Sequence, residues 1–380
     1  MLPYIIPLIL IILGIALYDS QQRTHNRQWL YWGIYVYIVI LFGLRYKLGW
    51  DTQQYMVYYY NFPDLAHASY ASEEQYDMMQ PGFKLLWMIL KSISDEFWVF
   101  QIVLSIFVNA VVMWFFKSHT KYWFTALLIY YVCFCIYFNT EIQREVISIC
   151  IFLLSYKSLM TRRWVKYYIC AFLAFMFHVS AAMLFFYPLL VFFPIKFNKK
   201  LLIPLLFIAL LGYIVTNYFT QIVSLLGGGV FSNKFLNYGT QYTRGDLTKN
   251  WLLVRLFLYS IFPAIIVYIY KFRLKRKIPF ETFICLMMIF GVSIVVLAEM
   301  GVRLTNYCRP LYFLACARLI APGLVSFSRR KILSYSLLAM VLVAYSFQMW
   351  VLNASTHTIA PYTWIINPQE DEVRNEYSVY

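Results

Sequence analysis

Five arginines and one histidine stand apart from the other basic residues of this chain. Eighteen of the 32 Lys and Arg residues fall in six short clusters between apolar runs, whereas Arg45, Arg144, Arg255, Arg303, Arg309 and His178 lie toward the opposite ends of those runs. An arginine near hydrocarbon costs roughly 2.5–3.5 kcal/mol at a helix centre on insertion scales, so such a residue normally faces a cavity or a partner. Several guanidiniums converging on a wet cavity would make a diphosphate site, because each offers a planar fork of donors matched to phosphate oxygens. The alternative is structural: pairing with Asp51, Glu141, Glu145 and Glu299, or snorkelling to headgroups. For any one arginine the two readings weigh equally; the set as a whole favours function. Arg318 lies deeper in its apolar run.

Three shorter constellations accompany them. Arg45-Tyr-Lys47-Leu-Gly49-Trp-Asp51, with Tyr55 beyond it, puts two cations and a carboxylate just outside an apolar run. Asp51 would hold an arginine or contact a sugar hydroxyl, although a structural ion pair and a glycine turn explain the stretch equally well. Phe177-His178-Val-Ser180 lies between two short apolar runs. With an ordinary pKa near 6.5, His178 would serve as a general base toward a hydroxyl, against the commoner role of a hydrogen-bonded structural histidine. Gln143-Arg144-Glu145 opens another run. A cation at a helix N-terminus opposes the helix dipole, so Arg144 is expected to face a ligand or a carboxylate.

The elements that must position these residues are apolar helices. At 62% hydrophobic and 13% charged, the chain has too little polar surface to cover a soluble globule of this length. About 20 apolar residues make a span, fewer where a helix is buried among neighbours. Twelve segments qualify, near residues 2 to 18, 29 to 44, 97 to 116, 122 to 138, 145 to 160, 164 to 177, 181 to 194, 201 to 219, 251 to 270, 279 to 298, 304 to 322 and 332 to 352. The fold class expected is all-α: a polytopic membrane protein of about 12 transmembrane helices forming a single domain over 1–352, with a tail over 353–380. The first run has no basic segment before it and no small-residue cleavage site after it, so it reads as a retained span.

Orientation follows from the basic clusters. Arg23 and Arg27; Lys117 and Lys121; Arg162, Arg163 and Lys166; Lys196, Lys199 and Lys200; Lys271 through Lys277; and Arg329 to Lys331 alternate with the remaining loops. The positive-inside rule places them in the cytoplasm and both termini on the other side. The net charge of +15 is therefore topological, and nucleic acid is excluded as a partner. Two outer segments are long. Within 45–96, Pro81 to Ile93 suits an amphipathic helix on or dipping into the membrane. The segment 220–250 contains Gly227-Gly228-Gly229 and reads as a mobile loop or lid. The tail is the third outer segment.

Missing motifs narrow the chemistry. There is no Walker loop, paired-His zinc motif, Gly-x-Ser-x-Gly elbow or Asp-x-Asp motif, so neither a nucleotide nor a metal is indicated and no cofactor is expected. The seven cysteines lie in or beside apolar runs and read as small hydrophobes. Cys133 and Cys135 point to different helix faces with no third ligand spaced to join them. A reaction here would use a preactivated substrate.

Taken in order, these residues resemble the EpsG-like family of polysaccharide polymerases, related in role to the Wzy O-antigen polymerases of bacterial envelopes. The matching elements are Arg45 with Gly49, Asp51 and Tyr55; Gly82-Phe83; Gln143-Arg144; His178 with Ser180; and Arg303 with Tyr307, Arg309, Tyr312 and Phe313. Many relatives carry an acidic residue before the Gly-aromatic pair, where this chain has Gln80-Pro81. The resemblance implies a multi-pass inner-membrane glycosyltransferase, independent of metal and nucleotide, with the architecture of the lipid-sugar transferases (GT-C-like) that include O-antigen ligases. It would move a growing glycan from undecaprenyl diphosphate to the nonreducing end of the next undecaprenyl-diphosphate-linked repeat unit at the periplasmic face, in company with a flippase and a chain-length regulator.

On that chemistry Arg144, Arg255, Arg303 and Arg309 would stabilise the diphosphate as it leaves. His178 would be the base, with Asp51 as runner-up. Arg45, Lys47, Tyr55, Gln143, Ser180 and Tyr307 would bind or orient substrate, and the 220–250 loop would orient sugars or gate entry. Two rivals remain. A flippase for lipid-linked sugars would show inverted repeats and charge serving both sides, and neither is evident. An O-antigen ligase-like transferase differs only in its acceptor.

Overall fold

A computed structural model describes residues 2–72, 76, 79–201, 203–207, 210, 253–297, 299–325, 327–346 and 358–368. Among these, every extended regular element is a helix, and β pairing is limited to isolated bridges joining Arg45 to Trp364 and Trp364 to Asn367. The helices used below are α1 (Leu2–Asp19), α2 (Arg27–Gly43), α3 (Thr52–Asn61), α4 (Pro81–Lys91), α5 (Phe97–His119), α6 (Trp123–Thr140) and α7 (Gln143–Met160). They continue with α8 (Trp164–Phe177), α9 (Val179–Phe192), α10 (Leu253–Arg273), α11 (Glu281–Leu297), α12 (Glu299–Asn306), α13 (Arg309–Leu324) and α14 (Lys331–Ser346). In a bilayer the backbone must satisfy its own hydrogen bonds, which helices do internally. Four of them, α1, α5, α6 and α10, are long and apolar enough to cross a membrane, marking the chain as a membrane protein. With 23 residues, α5 reaches about 34 Å at 1.5 Å per residue, more than the ~30 Å hydrocarbon core.

The chain divides into two compact units, one formed by Met1–Phe185 with Cys316–Tyr380 and the other by Phe186–Ala315. In the first, α6 is the central element. It is apolar all round and almost wholly buried, as expected of a helix with neighbours on every side. Inside this apolar packing, Asn109 of α5 donates to Asn139 Oδ1 of α6 at 2.8 Å, and Tyr130 donates to Asn109 Oδ1 at 3.2 Å. Such buried polar links join helices where the hydrophobic effect offers no preference between lipid and protein. The short turns between α5, α6, α7 and α8 make successive helices antiparallel neighbours, and α7 and α8 form the most extensive of these pairs.

Several elements differ from expectation. The run at 304 to 322 is interrupted: α12 ends at Asn306 and α13 begins at Arg309. Pro310 accounts for the break, since it has no N–H for the carbonyl of Asn306 and its ring would clash with that carbonyl. The run at 181 to 194 is a 3₁₀ segment, Val179–Phe186, passing into a short α-helix, Tyr187–Phe192. The amphipathic helix expected within 45–96 forms as α4 and buries Phe83, Trp87 and Leu90. A further helix of the same stretch, α3, precedes it. The 220–250 loop and most of the run at 201 to 219 lie outside the described residues. Of the tail, the described part packs onto the loop after α2: Thr363 and Thr358 accept from the N–H groups of Tyr46 and Gly49, and Ile365 donates to Leu44.

Candidate functional site

The corner between α6 and α7 organises the first group of residues. Arg144, in the first turn of α7, donates from Nε to the Tyr55 hydroxyl at 3.0 Å. Tyr55 stands on α3 and is itself held by edge contacts with Phe83 and Trp87 of α4. The unfavourable position of Arg144 at a helix N-terminus is therefore matched by a tertiary partner 89 residues away. Its neighbour Glu145 is buried in the same turn, where a carboxylate suits the dipole. Gln143 is also buried and donates to Thr140 O at 3.3 Å; its Oε1 has no hydrogen-bond partner among the described residues.

Beside this corner lies a pair of carboxylates. Glu141 accepts from the Trp50 N–H at 3.1 Å, with Thr140 Oγ1 2.9 Å away. Burial and then the nearby charge of Asp51 push its carboxyl up to about 7, against the opposing hydrogen bonds from Trp50, Thr140 and Asp51. Asp51 is exposed at the start of α3 and makes no side-chain cap there. A carboxyl raised in this way, as Glu141 is, gives up or takes a proton near neutral pH. The turn that brings them together depends on Gly49. Its φ is +107°, and a Cβ there would sit 2.6 Å from Thr140 Cβ. Glu141 stood in the sequence only as a possible arginine partner. Its proximity to Asp51 joins positions far apart in the chain and leaves no local signal.

His178 ends α8 in extended backbone. A hydrogen bond of 2.7 Å from Ser148 of α7 to Ala174 O ties the antiparallel pair together, so His178 lies at the same end of it as Arg144. The side chain is only 3% exposed. Its Nδ1 accepts the Ser180 N–H at 3.2 Å and lies 2.6 Å from Ser180 Oγ. A backbone N–H can only donate, so the proton of the neutral ring sits on Nε2. In this tautomer Nε2–H offers a donor, the side of acid–base chemistry opposite to the base expected from the sequence. Ser180 positions the ring.

Arg45 and Lys47 occupy the loop onto which the tail packs. Arg45 is 1% exposed; it donates to Leu48 O at 3.1 Å from Nε and to Phe42 O from Nη1. Burial pulls its guanidinium down to about 10, partly offset by Tyr4, Tyr362 and Glu141, so it remains charged at neutral pH. Lys47 is half-buried, its amine 5.4 Å over the Tyr46 ring.

The remaining arginines belong to the second unit. Arg309, 2% exposed at the start of α13, stacks its guanidinium 4.0 Å over the Tyr259 ring and donates to Thr305 Oγ1 at 3.2 Å. Tyr259 lies in a π-helical turn of α10, Phe257–Ile261, a local widening common at functional sites. Ser260 in that turn donates to Met288 O of α11 at 2.8 Å. Arg255 is four positions before Tyr259 on α10, half-buried; Arg303 is half-buried on α12, and Tyr307 is fully buried in the turn before α13. Among the described residues no group of three or more His, Cys, Asp or Glu side chains is placed to hold a metal ion.

The model of the EpsG family matches residues 28–364, a stretch that includes every residue of both groups. No curated protein and no solved structure shows a significant match to the chain.

Proposed function

This chain belongs to the EpsG family, whose members are associated with polysaccharide synthesis, and on that premise we propose that it is a polysaccharide polymerase of the bacterial inner membrane, crossing it about twelve times. It takes the growing glycan from undecaprenyl diphosphate and places it on the nonreducing end of the next lipid-linked repeat unit at the periplasmic face. The observation that carries the reading is the convergence of Arg144 on Tyr55 beside the Glu141 and Asp51 carboxylates.

The acceptor hydroxyl oxygen attacks the anomeric carbon, and its proton passes to the carboxylate pair. The bond from that carbon to the diphosphate oxygen breaks, and the electron pair leaves with the diphosphate. The glycosyl diphosphate is already activated, so the step needs no nucleotide. Charge gathering on the leaving group is what a guanidinium or an imidazole N–H stabilises best. Arg144 and His178 Nε2–H supply this in the first unit. Arg255, Arg303 and Arg309 are suited to hold the diphosphate of a lipid carrier.

The test is an assay of purified protein with undecaprenyl-diphosphate repeat units, comparing wild type with Glu141→Gln, His178→Ala and Arg309→Ala at matched expression. A ladder of longer lipid-linked glycans, lost in Glu141→Gln and Arg309→Ala, is the expected result. No ladder from folded protein, together with movement of lipid-linked sugar across liposomes, would make it a flippase and overturn the reading.

A further inference from the structure

A cavity of about 490 Å³ lies in the first unit between the loop after α2, helix α3, the start of α5 and the tail residues Ile365, Ile366 and Pro368. That volume falls within the range of small-molecule sites, about 300–1,000 Å³. Two of its lining residues carry buried donors without hydrogen-bond partners among the described residues: Arg45 at Nη2 and Gln101 at Nε2. Both residues are at least 98% buried. Desolvated donors without acceptors are costly and rare, and an oxygen-rich guest would satisfy both. The charges lining the cavity are Arg45, Lys47 and the single carboxylate of Glu96, a balance that favours an anion. Trp98 and Tyr60 supply aromatic surface beside the apolar tail residues. Arg45 is also close enough to Glu141 to feel its charge, which puts the cavity next to the carboxylate pair.

We propose that this cavity is a subsite for an acidic sugar, its carboxylate bound by Arg45 and Gln101 and its ring lying against Trp98, with the C-terminal tail as one wall. The proposal deepens the reading of the protein as a glycan polymerase and rests on it, naming a class of repeat unit that carries a carboxylate. The Gln101 amide discriminates this from a simple anion trap, because a carboxylate on a sugar ring can meet both donors while the ring meets the indole.

The test is direct binding to the full-length protein in detergent, by saturation-transfer NMR and tryptophan fluorescence, with methyl glucuronide, methyl glucoside and inorganic phosphate as probes. Methyl glucuronide should bind, with the other two at least about tenfold weaker, in proportion to a lost charged hydrogen bond. Because Arg45 also holds its own loop, the informative variant is Gln101→Leu, which removes a buried donor that has no hydrogen-bond partner among the described residues. It should weaken glucuronide binding about tenfold and leave the melting temperature unchanged or raised. Equal binding of methyl glucoside and methyl glucuronide, preference for phosphate, absence of binding, or unchanged affinity in Gln101→Leu would each overturn the subsite. The ladder assay on the same preparation separates the two claims. A ladder without glucuronide binding removes the subsite and keeps the polymerase, and binding without a ladder does the reverse.

Discussion

Replacing Glu141 with glutamine should change how stability depends on pH. The carboxyl rises from an ordinary 4.5 to about 7 in the folded protein, with burial as the largest cause and Asp51 the second. Between those two values the folded chain binds more proton at this site than the unfolded chain does, so stability falls as pH rises through the window. At about 1.4 kcal/mol per pH unit the loss amounts to about 3 kcal/mol by the time Glu141 is ionised. With an unfolding entropy near 2.1 cal/mol/K per residue, that is about 4 °C in melting temperature for a chain of this length. Tryptophan-monitored thermal unfolding in detergent from pH 4.5 to pH 8 should show this decline in wild type. Glu141→Gln keeps the carbonyl that accepts the Trp50 N–H and removes the charge, so its curve should lose that component. Asp51→Asn should fall between the two, because it relieves the smaller of the two causes. Parallel curves for wild type and Glu141→Gln would refute the assignment of a buried, proton-holding carboxyl at this corner.

Tyr55→Phe removes a hydrogen-bond acceptor of Arg144 and should slow glycan elongation about tenfold, the worth of one charged hydrogen bond, with little change in melting temperature. His178→Gln retains a side-chain amide donor and should keep more elongation activity than His178→Ala; equal loss in both would argue against a donor role. Gly49→Ala meets both a positive φ and the Thr140 side chain, so it should destabilise by more than about 1 kcal/mol and expose the tail, whose Thr358 is bonded to Gly49 N–H, to limited proteolysis. Tyr259→Leu removes the ring beneath Arg309 and should cost about 2 kcal/mol for a desolvated cation–π pair, read as a lower melting temperature.

The helical class, the position of α5 to within three residues and the amphipathic α4 were legible in the sequence, because composition and helical periodicity are local quantities and a bilayer leaves helices few alternatives. The interest of Arg144 was legible too, since a cation at the start of an apolar helix is locally unfavourable and asks for a partner. What the partner is was not. Tyr55, the Asp51 carboxylate that helps raise Glu141, and the tail wall beside Arg45 come from distant parts of the chain, and one sequence carries no record of such pairings. The tautomer of His178 likewise rests on the direction of a single backbone N–H, which depends on how the chain turns after α8. Residue types therefore determined which chemistry was available, while tertiary structure decided which nitrogen holds a proton and which carboxyl is buried enough to exchange one, because both depend on solvent exclusion and hydrogen-bond geometry that exist only once the helices pack.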